Sequence, residues 1–563
     1  MAEKEVKQVT AEELAKSQRE ISVSEFFVKN KHLLGFDNPR KALLTTIKEG
    51  VDNALDATQE ARILPEIYVE VSPLPDSDSR FKVIIEDNGP GIVKEQIPKI
   101  FAKLLYGSKF HHLRQSRGQQ GIGISAAVMY AQLTTGKPTK ITAKTSSKKP
   151  AHYYELHLDT QKNEPEVVID REIQWEKDHG VKIELELEAK YQKGQQSIDE
   201  YLKQTAIVNP HLHLSYKNPE GELIDFPRVV NQHPKEPKEI KPHPYGVELG
   251  ILMNMLKDST ARSISGFLQT EFSRISANTA KEICEQAHID PSARPERIAR
   301  EEADALYRAM NSVKIMAPST DCLSPITAEA IESGLKKEVN AEFYTAITRP
   351  PAVYRGYPFQ VEVGLAYGGS LEQDDFVKLL RFANRVPLQY EQSACAITKS
   401  VLQTAWKNYG LNQSKGALPT GPAVVLVHIV SVWVPFTSES KEAIASYPEI
   451  IKEIKLALQE AGRKLGAYIR KNIRARDQKE RANLFERYIP ELASSLSNLS
   501  GEKKEIILEN LEKKLKKELP LLLGQAQPVQ QTTEAKKEPK PQEKKERKKI
   551  KEKTLGDYDG SEE

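Results

Sequence analysis

Three stretches carry residue types that could do phosphate chemistry. The first is Glu49-x-x-Asp52-Asn53-x-x-Asp56. Read as a helix at about 100° per residue, Leu44, Ile47, Val51 and Leu55 fall within about 80° and form an apolar stripe. Glu49, Asp52, Asn53 and Asp56 cluster about 140° away from it. Three carboxylates and an amide on one face repel one another unless a cation joins them, and hard oxygen ligands suit a hydrated Mg²⁺. The second stretch is Ile84-Ile85-Glu86-Asp87-Asn88-Gly89-Pro90-Gly91-Ile92. An apolar strand there ends in an aspartate that can accept a hydrogen bond from an exocyclic amine, and glycines after it let backbone approach a flat ligand. The third is Ser116-Arg117-Gly118-Gln119-Gln120-Gly121-Ile122-Gly123-Ile124-Ser125-Ala126. A glycine-rich loop entering an apolar helix offers free backbone N–H groups to phosphate.

Each stretch alone also has a plainer reading: a solvated helix face, a good turn, or a loop before a core helix. Gly121-Ile-Gly123-Ile-Ser-Ala126 fits the dinucleotide fingerprint G-x-G-x-x-G/A, but no apolar strand precedes it and no acidic residue follows at the right distance. Nothing in the chain reads G-x-x-x-x-G-K-[ST].

The elements that must position these residues are legible around them. Asn38-Pro39 opens a long helix to about Arg62, with Asn38 as N-cap and Pro39 at the first helical position. A short helix is expected at 21–27. Ile67–Val71, Phe81–Ile85, Thr139–Thr145, Tyr153–Asp159 and Val181–Leu187 alternate as strands. This order of helix, then strands with mixed connections, predicts an α+β fold rather than a parallel doubly wound sheet. Pro234, Pro237, Pro242 and Pro244 mark a boundary. Helices are expected at 246–257, 263–274, 277–287 and 297–312. Strands return at Phe359–Leu365 and Ala423–Val434, with helical stretches at 373–382 and about 394–408 between them. From Tyr447 to about Leu522 the pattern is helical, broken near Pro490, with Lys/Glu spacings that suit a solvated helix.

The 563 residues are enough for three to four domains. Lys+Arg 82 against Asp+Glu 79 leaves a net charge of only +3, so no global basic field advertises nucleic acid. Cys284, Cys322 and Cys395 form no close pair, which excludes a disulfide scaffold and fits a reducing compartment. The most apolar runs fall short of the ~18 residues of a membrane span, and MAEKEVKQVT lacks a signal-peptide core. Residues 525–563 hold ten Lys/Arg and nine Asp/Glu and cannot bury enough apolar surface to fold alone. A basic tract at 535–553 suits a weak DNA or partner contact. His111-His112, and His211 with His213, read as surface histidines because no ligand spacing surrounds them. Asp557-Tyr558-Asp559 lies in the charged tail, a poor setting for a nucleophile.

In this order and spacing, Glu49-x-x-Asp52-Asn53, Asp87-x-Gly89-x-Gly91 and Gly118-x-x-Gly121-x-Gly123 together resemble the ATP-binding fold shared by DNA gyrase, heat-shock chaperone ATPases, histidine kinases and MutL proteins, the GHKL family. The resemblance implies that Glu49 is the general base and that Asn53 holds a Mg²⁺ bridging the triphosphate. It implies that Asp87 reads the adenine amine, with Gly89 and Gly91 lining the base pocket. Ser108 to Gly123 would form a lid in which Ser108 and Lys109 contact nucleotide. Gly118, Gln119, Gln120, Gly121, Ile122, Gly123 and Ile124 would hold the phosphates. The family often places a Gly-Thr pair near the adenine; here that place reads Gly180-Val181, without the hydroxyl.

Within that family the resemblance is strongest to the B subunits of archaeal type IIB topoisomerases, over about residues 20–480. It rests on Gly118–Ser125, on Leu380-Arg381-Phe382-Ala383-Asn384-Arg385-Val386-Pro387-Leu388, and on Val434-Pro435-Phe436-Thr437-Ser438-Glu439-Ser440-Lys441-Glu442-Ala443. It implies a layout of N-terminal arm 1–20, GHKL ATP-binding domain 21–240, helix-two-turn-helix insert 241–317, α/β-sandwich transducer 318–480, helical region 481–524 and charged tail 525–563. It also implies a lysine that reaches the γ-phosphate, with Lys441 the first choice and Lys415 the second. The expected activity is that of an ATP-hydrolysing gate. ATP binding would dimerise two protomers, and a separate A subunit would cut double-stranded DNA in an A2B2 heterotetramer, in the cytoplasm. Basic residues that could track DNA include Arg262, Arg274, Lys281, Arg294, Arg297 and Arg300 in the insert, and six between Arg463 and Arg476 on the long helix. The competing expectation is a related ATPase switch without DNA cleavage, such as a MutL-like clamp or a chaperone.

Overall fold

The computed structural model describes residues 10–522 apart from 17, 19, 76, 78, 109–111, 119, 120 and 439. Lys109, Gln119, Gln120, His111, Glu439 and the tail with Asp557-Tyr558-Asp559 therefore lie outside the described residues. The chain divides into two compact units, residues 1–469 and 470–563.

In the first unit, short helices α1 (Ala11–Lys16) and α2 (Val23–Lys29) precede α3 (Pro39–Glu60). Asn38 caps α3 by accepting from the Lys41 N–H at 2.9 Å, with Pro39 in the first turn. Leu44, Ile47, Val51 and Leu55 are all buried. Strands β1 (Glu66–Pro73) and β2 (Arg80–Asp87) are followed by α4 (Ile97–Ala102) and α5 (Gly123–Thr135). Next come β3 (Thr139–Lys144), β4 (Ala151–Asp159), β5 (Glu164–Ile173), β6 (Gly180–Glu188), α6 (Ile198–Val208), β7 (His213–Lys217) and β8 (Leu223–Phe226). The eight strands form one sheet in the order β5-β4-β3-β6-β2-β1-β7-β8, antiparallel except for the parallel β1–β7 pair. Its strands alternate buried and half-buried positions, as expected when helices cover one face. Edge strand β5 is mostly exposed and charged, so periodicity gave no sign of it.

An all-helical insert follows: α7 (Leu249–Asp258), α8 (Ile264–Glu271), α9 (Ala277–Ala287) and α10 (Arg300–Ser312), around a core of its own. Then come α11 (Ala328–Glu338), β9 (Phe343–Thr348), β10 (Ala352–Tyr354), β11 (Tyr357–Tyr367), β12 (Lys378–Ala383), β13 (Val386–Pro387), α12 (Ala396–Gln403), β14 (Asn412–Gln413), β15 (Pro419–Thr420) and β16 (Ala423–Ser431). The second sheet runs β10-β11-β16-β12-β13, with β9 also on β11. Every residue of β16 is buried, the mark of a strand covered on both faces. Residues 373–382, expected to be helical, instead lead into β12, which pairs in parallel with β16 from Lys378↔Val424 to Ala383↔Ile429. That pairing buries Leu380 and Phe382, and tertiary burial outweighs local helix propensity.

Helix α13 (Pro448–Ser500) begins in the first unit and ends in the second, where α14 (Lys504–Leu522) follows. In the first unit its Ile454, Ala457, Leu458, Ala461 and Leu465 are fully buried, so this part packs into the second sheet's core rather than facing solvent as its charge spacing suggested. The helix continues through Pro490 and stops at Gly501, whose φ of +74° is left-handed. One missing N–H is tolerated inside so long a helix, whereas a left-handed residue ends it. Among the described residues no helix is long and apolar enough to cross a membrane.

Candidate functional site

A cavity of about 540 Å³ opens between α3, the β2 end, the glycine-rich loop and the loop after β16. Glu49, Asn53, Asp87, Gly91, Ser108, Gly118, Gly121, Ile122, Gly123, Ile124 and Lys441 all line it. Its volume and mixed apolar and polar walls suit a nucleotide-sized ligand.

The carboxylates of α3 do not act as one cluster. Glu49 and Asn53 face the cavity, but Asp52 and Asp56 are buried behind it. Asp52 Oδ1 accepts from the Tyr201 hydroxyl at 3.2 Å. Burial, reinforced by Glu49 and Asp56, pushes the Asp52 carboxyl up to about 7. Asp56 pairs with the buried Arg117 guanidinium at 2.8 Å. Arg117 also donates to Gln59 and Asn209. A shared metal face of three carboxylates is therefore corrected to two cavity-facing groups, Glu49 and Asn53. The helix period placed all four together; the packing of α6 and of Arg117 separated them.

Asp87 closes β2 and is buried. Its Oδ1 accepts from the Gly89 N–H at 2.7 Å and the Val181 N–H at 3.3 Å, which leaves Oδ2 for a ligand. Burial pushes its carboxyl up to about 6, partly offset by those two N–H groups. Gly89 therefore orients Asp87 rather than lining the cavity, whereas Gly91 is a wall residue. Gly91 has φ +71°, and a Cβ there would lie 2.0 Å from the Lys144 carbonyl oxygen. Val181, standing where a Gly-Thr pair would bring a hydroxyl, supplies its backbone N–H instead.

The loop after β16 reaches back over α3. Lys41 pairs with Glu442 at 2.6 Å, and Lys48 donates to the Ser440 carbonyl at 3.4 Å. Lys441, at φ +54°, enters the cavity and donates to the Arg117 carbonyl at 3.2 Å. Burial holds its ammonium below the usual lysine range, against the pull of Glu49. Lys415 is exposed between β14 and β15 and does not reach the cavity. Arg117 and Tyr201 were given no role by the sequence, although Arg117 stands inside the glycine-rich stretch that marked the site.

The histidines divide. His112 pairs at the surface with Glu239 at 2.9 Å, and His213 with Asp225 at 2.9 Å. His211, expected at the surface, is buried, and burial beside Arg385 and Arg117 holds its imidazole well below the usual range. No group of three or more His, Cys, Asp or Glu among the described residues could hold a metal.

Residues 38–162 match the model of the histidine kinase-, DNA gyrase B- and HSP90-like ATPases. Residues 318–481 match that of the topoisomerase VI B subunit transducer. The chain is 52% identical over 489 residues to the B subunit of type 2 DNA topoisomerase 6 from Methanococcoides burtonii, covering 87% of this chain and 78% of that one. It is 48% identical over 482 residues to the protein of the same name from Archaeoglobus fulgidus, covering 85% and 79%. With a nucleotide-sized cavity lined largely by the ATPase match and a lysine from the transducer match reaching into it, and with relatives about half identical over most of its length, the chain belongs to the family of DNA topoisomerase VI B subunits.

Proposed function

We propose that the chain is the ATP-binding and ATP-hydrolysing gate subunit of a type IIB DNA topoisomerase. The observation that carries this is convergence: Glu49, Asn53, Asp87, Gly118, Gly121, Gly123 and the far-distant Lys441 line one cavity. In this reading Asp87 Oδ2 accepts from the adenine amine, and Gly91, packed against the Lys144 backbone, forms a wall beside the ring. Backbone N–H groups at the start of α5 hold phosphate. Glu49 takes the proton of the attacking water. Lys441 places a positive charge at the γ-phosphate, where charge develops during transfer.

Asn53 would hold Mg²⁺ together with the phosphates. The donor set fits, because Mg²⁺ keeps several waters and needs only one or two protein oxygens beside the phosphates. The ion, when bound, would neutralise charge on the phosphates.

The partners in this reading are a DNA-cutting A subunit, in an A2B2 assembly, and double-stranded DNA, inside the cytoplasm. ATP closes the lid and dimerises two protomers, and the second sheet passes that closure to the A subunit. The family membership of the chain favours this over a clamp or chaperone without DNA cleavage.

The test is relaxation of supercoiled plasmid by the chain with its A subunit, using wild type and Glu49→Ala. Relaxation that needs ATP and the A subunit, and is lost in Glu49→Ala while nucleotide still binds, is the expected result. Intact ATP hydrolysis with no relaxation beside a competent A subunit would overturn it.

A further inference from the structure

The turn between β12 and β13 has two residues, Asn384 and Arg385, both left-handed at φ +47° and +67°. Two-residue hairpins of this kind favour Asn-Gly. A bulky arginine at the second position is unusual and persists only where surroundings hold it. Here they do: the Arg385 N–H donates to His428 Nε2 at 2.9 Å, and its guanidinium reaches the carbonyls of Val208, Ser324 and Pro325. The turn is thereby clamped to β16 and to the end of α6.

Asn384 uses its amide differently. Its Oδ1 accepts from the Ser431 N–H at 3.0 Å, and its Nδ2 donates to the Ser431 carbonyl at 2.9 Å. The same Nδ2 donates to the Ser116 carbonyl at 3.1 Å. Ser431 ends β16, the strand that feeds the loop carrying Lys441. Ser116 precedes Arg117, whose guanidinium grips Asp56 on α3 and whose carbonyl receives Lys441. One amide thus ties the root of the phosphate loop to the root of the lysine loop, outside the cavity itself.

We propose that Asn384 is a positioning residue that couples closure of the nucleotide site to the second sheet. This deepens the proposed function and rests on it. Two amide bonds and the Asn384 N–H to the Ile429 carbonyl at 2.8 Å make Asn384 part of that sheet, while a single bond reaches the lid. Movement of residues 116–118 around phosphate is therefore transmitted to β16 through Ser116. Coupling of this sort needs a physical element that both sites bias, and the β12–β13 turn is that element.

The test uses the full chain assembled with its A subunit. Asn384→Gly removes the amide while suiting the left-handed turn; Asn384→Asp keeps Oδ1 and removes both donors. ATP turnover and plasmid relaxation are measured on the same preparations. The expected result is kcat and KM for ATP within about threefold of wild type, with relaxation events per ATP reduced at least about tenfold. Parallel loss of both activities, or no change in either, would overturn the proposal. Should both variants fail to fold, amide exchange of the wild-type assembly with and without a non-hydrolysable ATP analogue decides. Protection rising in 380–388 and 428–432 as well as in 113–123 supports coupling, and a change confined to 113–123 refutes it. Glu49→Ala is run alongside: if that variant still relaxes DNA, the gate reading itself fails, whatever Asn384 does.

Discussion

The Glu49 carboxylate rests against the backbone of Gly123, so closely that a Cβ on residue 123 would stand 1.8 Å from Glu49 Oε2. Gly123 is the first residue of α5, so the carboxylate lies where the helix presents its positive end. The general base proposed here is positioned by the absence of a side chain.

Gly123→Ala should therefore displace Glu49 and slow ATP hydrolysis by about 10²-fold or more, the scale of losing a general base. Glu49→Gln should lose roughly 10²–10⁴-fold with nucleotide binding retained. Steady-state phosphate release measures both. Full activity in Glu49→Gln would remove Glu49 from the role.

Nucleotide affinity should depend on pH through Asp87. Its carboxyl, raised by burial to about 6, must be ionised to accept from the adenine amine. Affinity should rise as pH goes from 5 to 7 and then level off. The sign for stability is opposite: the ionised form is disfavoured in the folded chain, so Asp87 costs stability progressively as pH climbs from the ordinary carboxylate range through about 6. Calorimetric titration with ATP at several pH values measures the first effect. Asp87→Asn should bind at least about tenfold more weakly, the scale of one lost charged hydrogen bond, with a flat pH profile. A profile that stayed steep in Asp87→Asn would assign the titration elsewhere.

Lys441→Met should lower kcat for ATP by roughly 10²–10³-fold, the loss expected when a charge at the transition state is removed. Lys415→Met, changing an exposed residue away from the cavity, should leave kcat unaltered. Single-turnover hydrolysis separates the two, and equal effects would contradict the placement of Lys441.

Arg117→Met takes the guanidinium away from a buried carboxylate and should destabilise the residue 1–469 unit by about 3–5 kcal/mol. Urea denaturation followed by tryptophan fluorescence reads this on Trp175, Trp406 and Trp433, all of which lie in that unit. A loss under about 1 kcal/mol would mean that the Asp56–Arg117 pair is weakly coupled to folding, as surface pairs are.

The local parts of the site were legible in the order of residues alone. A capping Asn38 and Pro39, an apolar stripe at helical spacing, an aspartate ending a strand before glycines, and a glycine-rich loop before an apolar helix are all short-range patterns. Their chemistry follows from residue type and spacing. Packing settled the rest. It turned Asp52 and Asp56 away from the cavity that Glu49 and Asn53 share, because Tyr201 and Arg117 arrive from distant segments. It chose Lys441 over Lys415, because the loop after β16 is latched to α3 by Lys41–Glu442. It made 378–383 a strand, because β16 offered a parallel partner. Helix periods and turn propensities act over a few residues, whereas which face a side chain finally presents depends on groups tens to hundreds of residues away, and those contacts exist only once the chain has packed.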